Sequence, residues 1–174
     1  MKNVMIDIET LGTKPYSVIL SIGAIEFDIN TGEIKDTFYR VISTRTSHEA
    51  GLLTDLDTIK WWLLQNDESR DKLLKGESYL ILSLVDLMLF VGEDKSTCVW
   101  SNSPSFDLSL IRNACERTSI NVSWGFWQER DVRTISSLMP SIRKSMIFDG
   151  IPHYAIDDCK HQVKYLVEIL NNLK

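Results

Sequence analysis

The chain is poor in cysteine, in excess basic charge and in long apolar runs, and each shortage removes a class of protein. Its three cysteines, Cys98, Cys115 and Cys159, are an odd number with no C-x-x-C spacing, so neither a disulfide framework nor a zinc site is expected and reduced, cytoplasmic thiols are. Lys and Arg number 19 against 24 Asp and Glu, a formal net charge of -5. Broad phosphate neutralisation along a duplex relies on clustered Lys and Arg, so a nucleic-acid enzyme of this charge would hold a strand end locally. The most apolar run, Leu80 to Val91, contains Ser83 and Asp86 and is far shorter than the roughly 20 residues a bilayer span needs. It reads as a buried helix, and no membrane partner is expected. The start, MKNVMIDIETLG, carries acids where a signal peptide has its apolar core, so secretion is not expected. No internal repeat, low-complexity segment or Gly/Ser-rich linker occurs, and 174 residues with 44% hydrophobic and 25% charged content suit one compact domain.

Val4, Ile6 and Ile8 alternate with Met5, Asp7 and Glu9, a period of two that predicts a strand with its apolar side packed and both acids on one face. Val18 to Asp28 is a second β-rich stretch, and Asn30-Thr31-Gly32 supplies a turn before a third from Ile34 to Ile42, which together predict three antiparallel strands. From Thr54 to Phe90 the pattern is helical. Asp57 or Thr58 is expected to cap a helix over Ile59 to Leu64, and another runs from Tyr79 to Phe90. Thr97 to Trp100 reads as a short buried strand, and Phe106, Leu110, Ile111 and Ala114 recur at helical spacing in a segment that starts near Pro104 or Ser105 and ends near Arg117. A last strand near Gln128 to Asp131 leads into a helix through Ile135 and Leu138. An irregular stretch from Pro140 to Pro152 and a final helix from Ala155 to Leu173 complete an α/β chain with helices packed on a central sheet.

Carboxylates at i and i+2 on one strand face stand about 7 Å apart at the Cβ level, close enough to converge on bound cations. D-I-E alone fits an exposed face carrying two solvated acids better than it fits a metal site. Hard oxygen ligands select Mg²⁺ or Mn²⁺, and two such ions about 4 Å apart stabilise the attacking and leaving oxygens of a phosphodiester displacement. Asp107 falls in the first turn of a helix that follows a strand, where α/β folds deliver functional loops to one sheet edge, although a first-turn acid also suits the helix dipole. Asp158 lies near the start of the last helix with Asp157 beside it. His153 precedes that helix in a loop, and imidazole titrates near working pH, so it is the candidate to take a proton from an attacking water.

Three segments carry a resemblance as a set: D-I-E-T-L-G at Asp7 to Gly12, S-F-D-L at Ser105 to Leu108, and H-Y-A-I-D-D at His153 to Asp158. Together they resemble the DEDDh 3'-5' exonucleases, the superfamily of ribonuclease T, oligoribonuclease and the polymerase proofreading subunit. The resemblance implies a ribonuclease-H-like fold, a five-stranded mixed sheet flanked by helices. It makes Asp7, Glu9, Asp107 and Asp158 the ligands of two Mg²⁺ ions replaceable by Mn²⁺, with Asp7, Glu9 and Asp158 around one and Asp7 and Asp107 around the other. His153 becomes the general base, Thr10 and Leu11 contacts of the terminal nucleotide, and Asp157 a neighbour. The implied reaction removes 5'-monophosphates from the 3' end of single-stranded nucleic acid. DNA is favoured, with exoribonuclease or short-oligonucleotide activity as the alternative within the fold. A catalytically silent nucleic-acid-binding domain is the alternative of another class.

The W-W pair of T-I-K-W-W-L-L-Q, D-V-R-T at Asp131 to Thr134, and H-Y-A-I-D-D-C-K-H-Q at the end resemble a narrower branch. It joins phage and prophage exonucleases related to exonuclease A of T-even phages with bacterial exoribonucleases, which implies a bacterial cell or a phage-infected host. Trp61 or Trp62 could stack on an unpaired base, but adjacent helical residues point about 100° apart, so at most one faces substrate. Trp61 is the candidate carried forward. Arg133, Arg143 and Lys144 are the best candidates for phosphate contacts. His161 reads as a solvated residue, and Trp124, Phe126 and Trp127 as either core or the contact of a homodimer.

Overall fold

The computed structural model describes residues 1–74 and 78–174. The chain opens with an antiparallel meander of β1 (Asn3–Thr10), β2 (Ile19–Phe27) and β3 (Ile34–Val41). Helices α1 (Thr44–Glu49), α2 (Leu56–Leu63), α3 (Asp67–Leu74) and α4 (Leu80–Val91) follow. Then β4 (Cys98–Ser101), α5 (Asp107–Arg117), β5 (Glu129–Asp131), α6 (Val132–Leu138), α7 (Pro140–Ser145) and α8 (Ala155–Asn172) complete the order. The five strands form one mixed sheet in the order β3-β2-β1-β4-β5, with β4 parallel to β1 and β5 parallel to β4. This is the flanked α/β sheet expected of a ribonuclease-H-like fold.

β1 is the central strand and is covered on both faces, not on its apolar side alone. Val4, Ile6 and Ile8 pack in one core with Leu84 and Leu87 of α4 and Leu108 and Ile111 of α5. Met5, on the opposite face, joins a second core with Trp100 of β4, Val132 of α6, and Ile156, Val163 and Leu166 of α8. Asp7 and Glu9 continue the Met5 face toward the end of the strand, so the same alternation that buries Met5 aims two acids along α8.

α8 can lie close to the sheet because β2 has no side chain at Gly23, the register partner of Asp7. A Cβ at Gly23 would stand 2.7 Å from the backbone carbonyl carbon of Ala155 and 2.9 Å from its Cβ. The first turn of α8, which carries Asp158, is thereby seated over the strand pair that carries Asp7.

Several local expectations are corrected. The cap of α2 is Asp55, two residues earlier than Asp57, because its carboxylate reaches the amides of Asp57 and Thr58 at 2.8 and 3.1 Å. Pro140 opens α7 inside the stretch expected to be irregular, since its missing N–H falls among donors that a first helical turn leaves unpaired anyway. The short α1 was not expected. The helical pattern of Thr54 to Phe90 resolves into three helices, and its portion at 75–77 lies outside the described residues. Trp124 is buried and its indole N–H donates to Glu129, leaving Phe126 and Trp127 as the exposed aromatics of the expected dimer contact. His161 is not solvated: its ring packs against Phe148 and Tyr165, and its Nδ1 is buried without a partner. Among the described residues no helix is long and apolar enough to cross a membrane.

Replacing Gly23 by Ala should push the Ala155 backbone off the sheet. Overpacking of a tight contact costs roughly 1–3 kcal/mol, which a urea unfolding curve would register. The same change should displace Asp158 relative to Asp7, so any activity should fall by more than the unfolded fraction explains. An unaltered unfolding midpoint would show that the close approach is not constraining.

Candidate active site

The C-terminal end of β1 and the loop after parallel β4 open on one edge of the sheet, and there the widely separated acids meet. Carboxylate oxygens of Asp7, Glu9 and Asp158 lie within 4.8 Å of one another. Asp107, at the first position of α5, faces them across a cleft of about 250 Å³ lined also by Ile8, Asn102, Ser103, Phe106, Arg133, His153 and Gln162. The Ser103 amide donates to Asp107 Oδ2 at 3.3 Å, which ties this acid to the β4–α5 loop.

Four carboxylates in partly dry surroundings resist ionisation. Burial, and then the charges of Asp107 and Asp158, hold Asp7 well above the usual carboxylate range, and only a hydrogen bond from Gln162 works the other way. Glu9 is raised by burial and by Asp7, Asp158 and Asp107 in turn. Burial pushes Asp107 up to about 7 and Asp158 up to about 6. Such an arrangement is costly in a metal-free protein and favourable around a divalent cation. The donor set fits one: all-oxygen, acidic, convergent, and with Asp158 Oδ2 buried and without a protein partner. Arg133 lines the same cleft, yet no described residue forms an ion pair with it.

His153 borders the cleft from the loop before α8 and has a positive φ of 61°. Several contacts hold it there. The Trp61 and Trp62 rings meet its imidazole edge-on with centroids 4.8 and 6.0 Å away, and the Ser69 hydroxyl of α3 donates to the Pro152 carbonyl at 2.6 Å. Asp157 serves the same loop, accepting the Ile151 amide at 3.0 Å and pairing with Lys160 at 2.8 Å, so its carboxylate is engaged away from the cleft. Burial lowers the His153 pKa.

A second cleft of about 570 Å³ adjoins the first, sharing Ile8, Glu9 and Phe106, and is bounded by Thr10, Gly12, Thr13, Asp55, Asp57, Thr58, Trp61 and Trp62. Trp61 is partly exposed there, whereas Trp62 is buried with its indole N–H on the Thr10 carbonyl at 2.9 Å. Thr10 borders this cleft, its hydroxyl turned to the Gly12 carbonyl at 2.7 Å. Leu11 does not line either cleft; its side chain packs against the core and its backbone bonds to Val18 and Asp55.

Gln162 closes the H-Y-A-I-D-D-C-K-H-Q segment, but no role for it is expected from the sequence. Its side-chain amide donates to Asp7 Oδ1 at 2.8 Å, from one helical turn beyond Asp158. The available signal is that i+4 spacing, which puts both residues on one face of α8.

A testable consequence concerns the metal-free protein. Carboxylates whose folded pKa is raised contribute stability that is present below their ordinary range near 4 and is lost as pH climbs through the folded values, about 6 for Asp158 and about 7 for Asp107. In chelator, wild type should weaken between pH 4 and pH 8. Asp107→Asn should unfold at higher urea than wild type at pH 8, by on the order of 1–3 kcal/mol, and match it near pH 4. Added Mn²⁺ should stabilise wild type more than the variant. Identical curves at both pH values would contradict an electrostatically loaded site.

Comparison with known proteins agrees with this geometry. The family described as the 3'-5' exoribonuclease Rv2179c-like domain matches residues 2–170. An exodeoxyribonuclease of Enterobacteria phage T4 is 23% identical over 94% of this chain and 86% of its own. Among solved structures, the nuclease domain of 3'hExo, a DEDDh family member bound to rAMP, superposes with a TM-score of 0.66 at 15% identity, covering 98% of this chain and 92% of that one. Exonuclease I of E. coli in complex with a dA16 oligonucleotide gives 0.68 at 15% identity, covering 99% of this chain and 42% of that one. The chain belongs to the Rv2179c-like 3'-5' exoribonuclease family, and it is a 3'-5' exonuclease.

Proposed function

We propose that this exonuclease hydrolyses the last phosphodiester of a single-stranded 3' end, with the terminal nucleotide in the larger cleft and the scissile phosphate among Asp7, Glu9, Asp107 and Asp158. The observation that carries the reading is the convergence of four carboxylates and one half-buried histidine on a cleft that adjoins a nucleotide-sized one. Trp61 offers its ring to the terminal base, a stacking contact worth about 1–3 kcal/mol, while Thr10 supports the cleft wall. Asp7, Glu9 and Asp158, with Asp107 opposite, would hold Mg²⁺ or Mn²⁺, which supplies charge neutralisation at the phosphate and lowers the pKa of the attacking water.

His153 takes the proton from that water. Burial keeps its imidazole neutral to lower pH than an exposed histidine, which leaves a free base at neutral pH. Arg133 adds positive charge on the phosphate side of the cleft. RNA is the substrate proposed first, on the strength of the family match over most of the chain. DNA, the substrate expected from the sequence although its motifs do not separate the two sugars, is the second, supported by the phage exodeoxyribonuclease relative.

Matched 5'-labelled single-stranded RNA and DNA of one sequence should each be shortened from the 3' end or spared, which reads direction and sugar together. Asp7→Asn should abolish turnover while the protein stays folded; substantial activity of that variant with Mn²⁺ would count against the assignment. His153→Ala should lower kcat by about 10² to 10⁴ with Mn²⁺ binding retained in calorimetry. The wild-type rate should rise with pH through a limb centred below the ordinary histidine value near 6.5, and the variant should lack it. Near-normal turnover of His153→Ala would remove it from the mechanism.

A further inference from the structure

Next to the catalytic cleft, and sharing Arg133 with it, lies a groove of about 330 Å³ between α6 and α7, lined also by Ser136, Ser137, Pro140, Arg143 and Lys144. We infer that this groove binds the phosphodiester backbone of the nucleotides immediately 5' of the scissile bond. The inference rests on the exonuclease reading and specifies its substrate as a strand of several nucleotides rather than a dinucleotide.

Three observations carry it. First, the three depressions are joined one to the next through shared lining residues. The nucleotide cleft and the catalytic cleft share Ile8, Glu9 and Phe106, and the catalytic cleft and the groove share Arg133. With the terminal nucleotide at one end and the scissile phosphate in the middle, the groove is where the upstream strand continues.

Second, the charge there is free. Arg133, Arg143 and Lys144 are exposed, and no described carboxylate pairs with any of them, whereas Arg40, Arg45, Arg70 and Arg112 are each engaged by a carboxylate. Nearby acids are occupied: Asp131 caps α6 through the Arg133 amide and the Thr134 hydroxyl, and Asp149 pairs with Lys164 at 3.5 Å. In a chain of net charge -5, three unneutralised cations along one groove form a local anion site.

Third, the groove is fixed to the catalytic cleft by packing. The Arg143 guanidinium lies 5.6 Å from the Tyr165 ring centroid, and the Tyr165 hydroxyl donates to Asn102 Oδ1 at 3.5 Å. Asn102 itself lines the catalytic cleft.

The test compares a dinucleotide, whose single phosphodiester occupies the catalytic cleft, with a hexanucleotide of the same sugar. Wild type should show a lower KM for the hexanucleotide. Arg143→Ala/Lys144→Ala should raise that KM roughly tenfold and leave dinucleotide kcat/KM unchanged, while the log–log salt slope of strand binding should shrink by about 1.4, or 0.7 for each cation removed. Arg143→Lys should retain most of the slope. A length advantage and salt slope that survive in the double variant would overturn the groove assignment, as would an equal loss on the dinucleotide. Binding is measured by fluorescence anisotropy with catalytically dead Asp7→Asn carrying the same pair of changes. The groove is thus tested even if wild type releases no nucleotide, a result that would instead refute the exonuclease reading.

Discussion

The burial of four carboxylates in one partly desolvated cleft is the constraint around which the molecule is organised. Burial raises the cost of ionising each acid, neighbouring acids add to it at Asp7 and Glu9, and at Asp7 only the Gln162 amide works the other way. Nothing local can hold such a group together, so the rigidity comes from the scaffold. Asp7 and Glu9 sit on the central strand, Asp107 is fixed where α5 leaves β4, and Asp158 is pressed in by a helix that Gly23 allows onto the sheet. Packing strength elsewhere offsets the electrostatic strain here, the usual relation between a stable core and a loaded functional site.

The histidine is positioned by different means. Its backbone adopts a positive φ that a non-glycine residue holds only when its surroundings impose it. Those surroundings come from α2 through the tryptophan pair, from α3 through Ser69, and from α8 through Asp157. Gly150 contributes by absence, because a Cβ there would stand 2.7 Å from the Asp157 carboxylate that ties down the loop. Trp61 touches His153 and also lines the larger cleft, so one side chain joins that cleft to the histidine.

Much of this is legible in the residues because the signals are periodic or motif-bound. Alternation places β1 and sets Asp7 and Glu9 on a common face; helical spacing places α5 and α8, and with them the positions of Asp107 and Asp158. The features that escape have physical reasons. The α2 cap lies two residues before its expected place because Asp55, Asp57 and Thr58 are all capable of capping, and only the backbone turn selects one. α7 is hidden because a proline breaks a helix in its interior and opens one at its first turn, and Pro140 alone does not say which. Leu11 lies beside cleft residues in the sequence but its side chain turns into the core, and no pattern of period two survives the register shift after Glu9. Gln162 carries no charge to attract notice, and its role emerges only when α8 and β1 are brought together. His161 looks solvated in the sequence because its stacking partner Phe148 lies in a stretch without periodic pattern.

The charge balance then acquires a meaning that composition alone does not have. A net charge of -5 repels a polyanion at long range, and ordinary salt screens that repulsion beyond about 10 Å. Capture therefore depends on attraction within the clefts themselves. Acids concentrated at the centre create a demand for divalent cations, and Arg133 on the rim presents the nearest protein charge of opposite sign. On the proposed reading, a strand with its end at the carboxylates has its upstream phosphates over Arg133, Arg143 and Lys144 of α6 and α7, which no described carboxylate neutralises.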